Sequence, residues 1–294
     1  MRVFVTGAAG FVGSAVVTEL IGAGHTVLGL ARSDANVDIL RKLGAEVIRG
    51  SLEDLDSLRQ GAATTDGTIH CAFIHDFANF AESGRIDKLA IEAMGEVLAG
   101  TDKPFIVTSG VAGLVQARPA TEDDVPHSEG APRVSEQTGL AFAGRGVRAM
   151  TVRLPQVHGA PGKCGLLSYL AESSRRSGIA AYVGDGSNRW AGAHVLDVAP
   201  VYRLALEKGK AGARYHAVSE EGVPMIDMMK VVGRQLRLPV KSISQDDAAK
   251  QFGPMARFAA VDLQGSSAKT QAELGWKPTH IGLVEDISQP GYFA

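Results

Sequence analysis

The sequence predicts an α/β fold: a doubly wound parallel sheet over residues 1–155, with a smaller C-terminal α/β lobe over 156–294. Three observations carry that expectation. Apolar strand-type runs alternate with helix-type runs through the first half, the rhythm of parallel strands joined by right-handed crossovers. The N-terminal run Arg2–Val5 leads into the turn Gly7-Ala-Ala-Gly10-Phe-Val-Gly13, after which Val12, Ala15, Val16, Leu20 and Ala23 recur at helical spacing. At 45% hydrophobic and 21% charged, the 294 residues supply a sizeable core.

The elements follow in order. Residues 25–31 read as a second strand and 35–44 as a helix closed by Gly44. A third strand over 45–50 precedes a helix ending at Gly61, and 67–73 makes a fourth strand. An amphipathic helix covers 79–99, 103–110 is a fifth strand, and a second long helix should run from Arg133 to Gly144. The sixth strand occupies 147–155. Beyond Pro155 the pattern loosens. Residues 156–165 read as a loop, 166–178 as a helix, and 180–195 as two strand-like pieces about a turn. A helix follows from Val195, with Pro200 early in it, where proline is least costly. A strand over 213–219, a helix over 225–238 and short helices complete the chain.

Several function classes lack support. A net charge of −2 without any basic block gives no electrostatic basis for a nucleic-acid or membrane-surface partner. No apolar run approaches the ~20 residues of a membrane span. With the first strand at the N-terminus and two cysteines, Cys71 and Cys164, in no redox or metal spacing, the chain reads as cytoplasmic. No HxH, HExxH or CxxC cluster predicts a metal, and no GxSxG elbow predicts a hydrolase.

The strand–glycine turn–helix order points instead to a dinucleotide. Gly7 permits the tight turn, Gly10 lets backbone N–H groups approach a pyrophosphate, and Gly13 lets helix and strand pack closely. The helix N-terminus then offers free amides and partial positive charge. Dinucleotide folds that take NAD carry an acid at the end of the second strand, for the ribose hydroxyls. Here that edge reads Leu30-Ala31-Arg32-Ser33, and a guanidinium suits a 2′-phosphate, so NADP is expected. Asp34 is better placed to cap the next helix.

Together these segments resemble the extended short-chain dehydrogenases/reductases, the NAD-dependent epimerase/dehydratase group. "TGAAGFVG" matches the group's TGxxGxxG, and "IHCAF" its fourth-strand segment. "VTSG" is similar to its fifth-strand serine motif, "RLPQVHG" to its sixth-strand turn, "HVLDVA" to a helix start in its second lobe, and "LGWKP" to its C-terminal signature. The resemblance implies a Rossmann core. It implies a cofactor groove floored by Gly7, Gly10, Phe11, Val12 and Gly13, edged at the adenosine end by Arg32, Ser33, Ser51 and Leu52. Ala72, Phe73, Thr108, Pro155, Val157 and His158 would flank the remainder. Helices at 79–99 and 133–144 would either pair in a homodimer seam, as the resemblance implies, or pack their apolar faces on the sheet.

One departure stands out. The group's Tyr-x-x-x-Lys should lie in "APRVSEQTGLAFA", which holds neither tyrosine nor lysine; Arg133, Ser135 and Glu136 occupy the expected places. Asp87 stands near the position of the group's helix asparagine. The chain thus resembles an atypical subgroup with a degenerate tetrad. Its catalytic candidates are Ser109 at the end of strand five, His75 and Asp76 in "FIHDFANF", Arg133 as an electrostatic substitute for the lysine, and Tyr169. His158 borders the substrate side, and Arg189 and Trp190 should face it from the lobe. The expected activity is NADPH-dependent reduction of a small carbonyl or imine compound by hydride transfer. Two alternatives stay open: a nucleotide-sugar epimerase or dehydratase, and a non-catalytic NADP-binding sensor or scaffold.

Overall fold

A computed structural model describes residues 1–114, 117–126 and 131–293. The first half alternates as expected: β1 (Arg2–Thr6), α1 (Phe11–Gly22), β2 (Thr26–Ala31), α2 (Asp34–Lys42), β3 (Glu46–Arg49), α3 (Leu55–Ala63), β4 (Gly67–His70), α4 (Phe80–Leu98), β5 (Pro104–Gly110), α5 (Ser135–Leu140) and β6 (Arg148–Leu154). The second half holds β7 (Gln156–His158), α6 (Gly165–Ser177), β8 (Ala180–Val183), β9 (Arg189–His194), α7 (Val195–Lys208) and β10 (Arg214–His216). It ends with β11 (Glu220–Pro224), α8 (Met225–Leu236), β12 (Val240–Ile243), α9 (Gln245–Phe252), α10 (Ala256–Ala259), α11 (Ala268–Leu274) and α12 (Leu283–Ile287).

The main sheet has seven parallel strands in the order β3-β2-β1-β4-β5-β6-β10. Side chains alternate across it, because successive residues of a strand point to opposite faces. Val3 and Val5 join an apolar layer with Val16 and Leu20 of α1 and Val198 and Tyr202 of α7. Phe4 faces the other way, with Leu58, Ile91, Met94 and Phe105. A third cluster, including Leu167, Met228, Met229 and Trp190, forms the lobe's own core. After Pro155 the chain does not leave the sheet for good, since α7 packs against α1 and β10 pairs with β6. The sheet order reverses between β1 and β4, so the cleft opens at the C-terminal ends of those strands.

The structure differs from expectation at several elements. The helix expected over 133–144 is only six residues long and continues as a 3₁₀ stretch, Ala141–Arg145. Gly139 lies flat on β5, where a Cβ would come within 2.6 Å of Val107, and the preceding Arg133 serves the site instead of a helix. The segment read as a loop after Pro155 contains β7, which joins β9 and β11 in a three-stranded sheet. β12, unforeseen, pairs with β8. The strand expected over 213–219 shrinks to β10. Pro200 is the sixth residue of α7, inside the helix rather than in its first turn. The cap of α2 is Ser33, whose hydroxyl accepts from Asn36 N; Asp34 instead pairs with Arg49.

Candidate active site

The glycine turn is built as its sequence requires. Gly7 has φ +66°, and a Cβ there would lie 2.7 Å from Ala72 N, so the turn presses against the end of β4. At Gly13 a Cβ would stand 2.1 Å from the Gly7 carbonyl, which is why α1 can approach β1 so closely. The N-cap of α1, Gly10, brings no capping side chain, and the first turn carries no acid. That helix end therefore presents unsatisfied amides and positive potential, fit for a pyrophosphate. It opens into a cleft of about 940 Å³ whose lining includes Gly7, Gly10, Phe11, Val12 and Gly13.

At the cleft's far edge stand Arg32, Asn36, Ser51 and Leu52. Arg32 is exposed and makes no ion pair or hydrogen bond among the described residues, so its guanidinium is free for an anion. Ser51 is partly engaged, accepting from the backbone N–H groups of Glu53 and Asp54. Ala72, Phe73, Thr108, Pro155 and Val157 also line the cleft. Two expected cofactor contacts do not. Ser33 spends its hydroxyl on the α2 cap, and His158, the last residue of β7, is fully buried, with Nδ1 2.9 Å from Asp286.

Where the Tyr-x-x-x-Lys pair is missing, a buried polar chain takes its place. His70, at the end of β4, meets Thr6 through Nδ1 at 2.8 Å and Asp87 through Nε2 at 3.1 Å. Ser135 donates to the other oxygen of Asp87. Arg133 donates from Nε to Ser135 (2.7 Å) and from Nη2 to the Thr108 carbonyl (2.9 Å), and its guanidinium lies 3.9 Å from the Phe73 ring centroid. Burial works against the Asp87 carboxylate, yet its bond to His70, the nearby charges of His70 and Arg133 and the Ser135 hydroxyl hold it below its ordinary value. Burial also lowers Arg133, opposed by the Asp87 charge. Arg133 stays a cation in practice, since a guanidinium starts so far above neutrality. Its Nη1 has no protein partner among the described residues.

Ser109 ends β5 beside this chain, half-buried in the cleft lining, and its hydroxyl has no protein partner among the described residues. Thr108, by contrast, is committed to the Tyr202 hydroxyl at 2.8 Å. His75 stands at the mouth between Phe73 and Phe77; desolvation, then the Arg133 charge, lowers its pKa. Tyr169 packs edge-on against Phe77 at 4.9 Å, and burial raises its pKa. Asp76 points away from the cleft: it is exposed and caps its own loop, accepting from Ala78 N and Asn79 N. Arg189 also turns out, toward Asp262, while Trp190 does line the cleft.

Sequence reasoning missed two features of this site. One is the buried ion pair of Arg153 with Glu136, in which Arg153 also donates to the carbonyls of Thr121 and Asp124 and meets His216. The other is the aromatic wall of Phe73, Phe77 and Phe80, which the run "FIHDFANF" announces by composition alone. Among the described residues no group of three His, Cys, Asp or Glu side chains could hold a metal ion, and no helix is long and apolar enough to cross a membrane.

Comparison with known proteins bears on what such a cleft belongs to. Over its whole length the chain is 46% identical to an uncharacterized protein of Schizosaccharomyces pombe, itself covered completely. It is 29% identical to the 4-hydroxy-2-methyl-3-oxo-4-farnesyl-3,4-dihydroquinoline-1-oxide ketoreductase of Stigmatella aurantiaca, covering 76% of this chain and 70% of that one. In fold it is similar to UDP-glucose 4-epimerase of Thermotoga maritima, with a TM-score of 0.77 at 21% identity, covering 100% of this chain and 98% of that one. The glycine turn, the β4 and β5 ends and the β6 turn all lie within residues 3–219, the span that matches the model of one enzyme family. The chain therefore belongs to the NAD dependent epimerase/dehydratase family.

Proposed function

We propose that the protein is an NADPH-dependent reductase of a small carbonyl or imine compound, working without the tyrosine–lysine pair. The observation that carries this reading is the meeting, in one cleft, of an unpartnered Ser109 hydroxyl and the Arg133 guanidinium beside an uncapped α1 N-terminus. The residues fit the cofactor: the α1 amides suit its pyrophosphate, and the unpaired Arg32 suits a 2′-phosphate. Bound NADPH supplies the hydride. The protein's part is to hold a substrate oxygen where negative charge develops, with donors fixed before the reaction begins. Ser109 is held by the strand end and donates one hydrogen bond. Arg133, locked by Ser135 and the Thr108 carbonyl, adds positive charge without titrating. Neither is a strong acid, so water delivers the proton. A protonated imine makes no such demand.

NADPH oxidation against a panel of ketones, aldehydes and cyclic imines tests the reading. Turnover of any of them with NADPH preferred over NADH supports it. Tight NADPH binding with no turnover across the panel would overturn it in favour of a sensor. The epimerase reading gains little here, because it needs the tyrosine base that this chain lacks.

A further inference from the structure

The outer half of the cleft is built unlike its inner half. Four of the ten phenylalanines gather there, none of them fully buried: Phe73, Phe77 and Phe80 from the segment after β4, and Phe258 from α10. Phe77 and Phe80 stack at 5.7 Å with their planes 6° apart, and Phe73 tilts against Phe80 at 5.5 Å. Half-exposed rings clustered in a cavity are apolar surface kept for a ligand.

Charge is distributed just as unevenly. Of the acids that line the cleft, Glu53 lies at the Arg32 end, and Glu136 is tied to both Arg153 and Arg214. At the aromatic end the described residues present no carboxylate. They present Arg257, whose guanidinium lies 5.1 Å from the Phe80 centroid and 4.7 Å from the Phe258 centroid. Arg257 is exposed and has neither an ion pair nor a hydrogen bond among the described residues. Ring contacts link two of the cleft's arginines: Arg133 to Phe73 at 3.9 Å, Phe73 to Phe80 at 5.5 Å, Phe80 to Arg257 at 5.1 Å.

We infer that the cleft takes an oxo compound with a flat, apolar or aromatic body and a carboxylate at its far end, held by Arg257 while the reacting group lies at Ser109. The inference rests on the reductase reading for its reacting end only; the anion subsite at Arg257 stands on its own geometry. A guanidinium held between two rings gives a carboxylate a charge-assisted bond while the apolar body covers the rings.

The test uses a matched pair, 6-acetyl-2-naphthoate and its methyl ester, which share one ketone at one end of the flat ring and differ in charge at the other. Wild type should reduce the acid with a kcat/KM about three- to tenfold above the ester, the discounted worth of one exposed charged contact. Arg257→Gln should bring that ratio to about one, and Arg257→Glu should invert it. A parallel titration of 2-naphthoate into the NADP⁺ complex, read by Trp190 fluorescence or calorimetry, separates the two claims. If no ketone is reduced but naphthoate binds wild type and not Arg257→Gln, the subsite stands and the reductase reading falls. An acid-to-ester ratio near one in wild type, or naphthoate binding indifferent to Arg257, overturns the subsite whatever the turnover.

Discussion

Replacing Arg32 with Ala is a clean test of cofactor choice, because the structure leaves that side chain nothing else to do. Arg32 caps no helix, holds no loop and pairs with no acid among the described residues, so its loss should leave the fold unchanged. What disappears is the contact with a 2′-phosphate. A charge-assisted hydrogen bond to a buried partner contributes about 1.5–3 kcal/mol, but this guanidinium is exposed, and screening reduces that to about 1–2 kcal/mol. The expected result is therefore a weakening of NADPH by about 5- to 30-fold, with NADH binding changed by less than about twofold. Fluorescence or calorimetric titrations of both cofactors into wild type and variant measure it directly. Because the 2′-phosphate interaction is electrostatic, the wild-type preference for NADPH should also shrink as salt rises. Equal affinity of wild type for both cofactors, or equal loss of both in the variant, would refute the assignment of Arg32.

Asp87 acts as a positioning residue, so Asp87→Asn should leave NADPH affinity intact while lowering stability by about 1–3 kcal/mol, through the disturbed bonds to His70 and Ser135. The same change should move any limb of the pH–rate profile governed by His75 to lower pH, since the Asp87 charge is among the influences that raise that imidazole; an unmoved profile would make Asp87 purely structural. His194 caps α7 by accepting from Leu196 N, and desolvation, then His158 and His280, lower its pKa. A lowered histidine gives stability that is full above its unfolded value, 6.5, and is lost as pH falls through the folded value, so thermal stability should drop below about pH 6.5. His194→Asn, which can still cap, should flatten that drop in thermal melts from pH 7 to pH 5.

How much of this was legible in the sequence depends on the range of the forces involved. The first six strands and the glycine turn were readable because each is a local pattern: an apolar run, a helical repeat, a glycine where only glycine fits. Gly7 and Gly13 do what their spacing implied. β7 and β12 were not readable, since Gln156–His158 and Val240–Ile243 become strands only by pairing with β9 and β8, and nothing within either segment encodes that partner. The short α5 escaped for a related reason: Gly139 is needed by β5, a demand written in Val107 rather than in the helix. Within the site, Ser109 and Arg133 were placed by motif position. Asp76 was nominated by its place after strand four and His158 by the sixth-strand turn, and a place in the chain does not say which way a side chain turns. The chain from Thr6 through His70, Asp87 and Ser135 to Arg133 joins residues up to 129 positions apart, and only the fold assembles it.

The central claim is that a carbonyl oxygen is held by Ser109 in a cleft that lacks the usual tyrosine. Steady-state NADPH oxidation by wild type and Ser109→Ala, on whichever ketone the panel yields, measures that most directly when run beside a cofactor titration. The account predicts that Ser109→Ala loses about 10²-fold in ketone turnover, the effect of removing one oxyanion donor. NADPH affinity should stay within about threefold, and imine turnover should suffer less. Ketone reduction by Ser109→Ala at the wild-type rate would contradict the account and show that another group holds the oxygen.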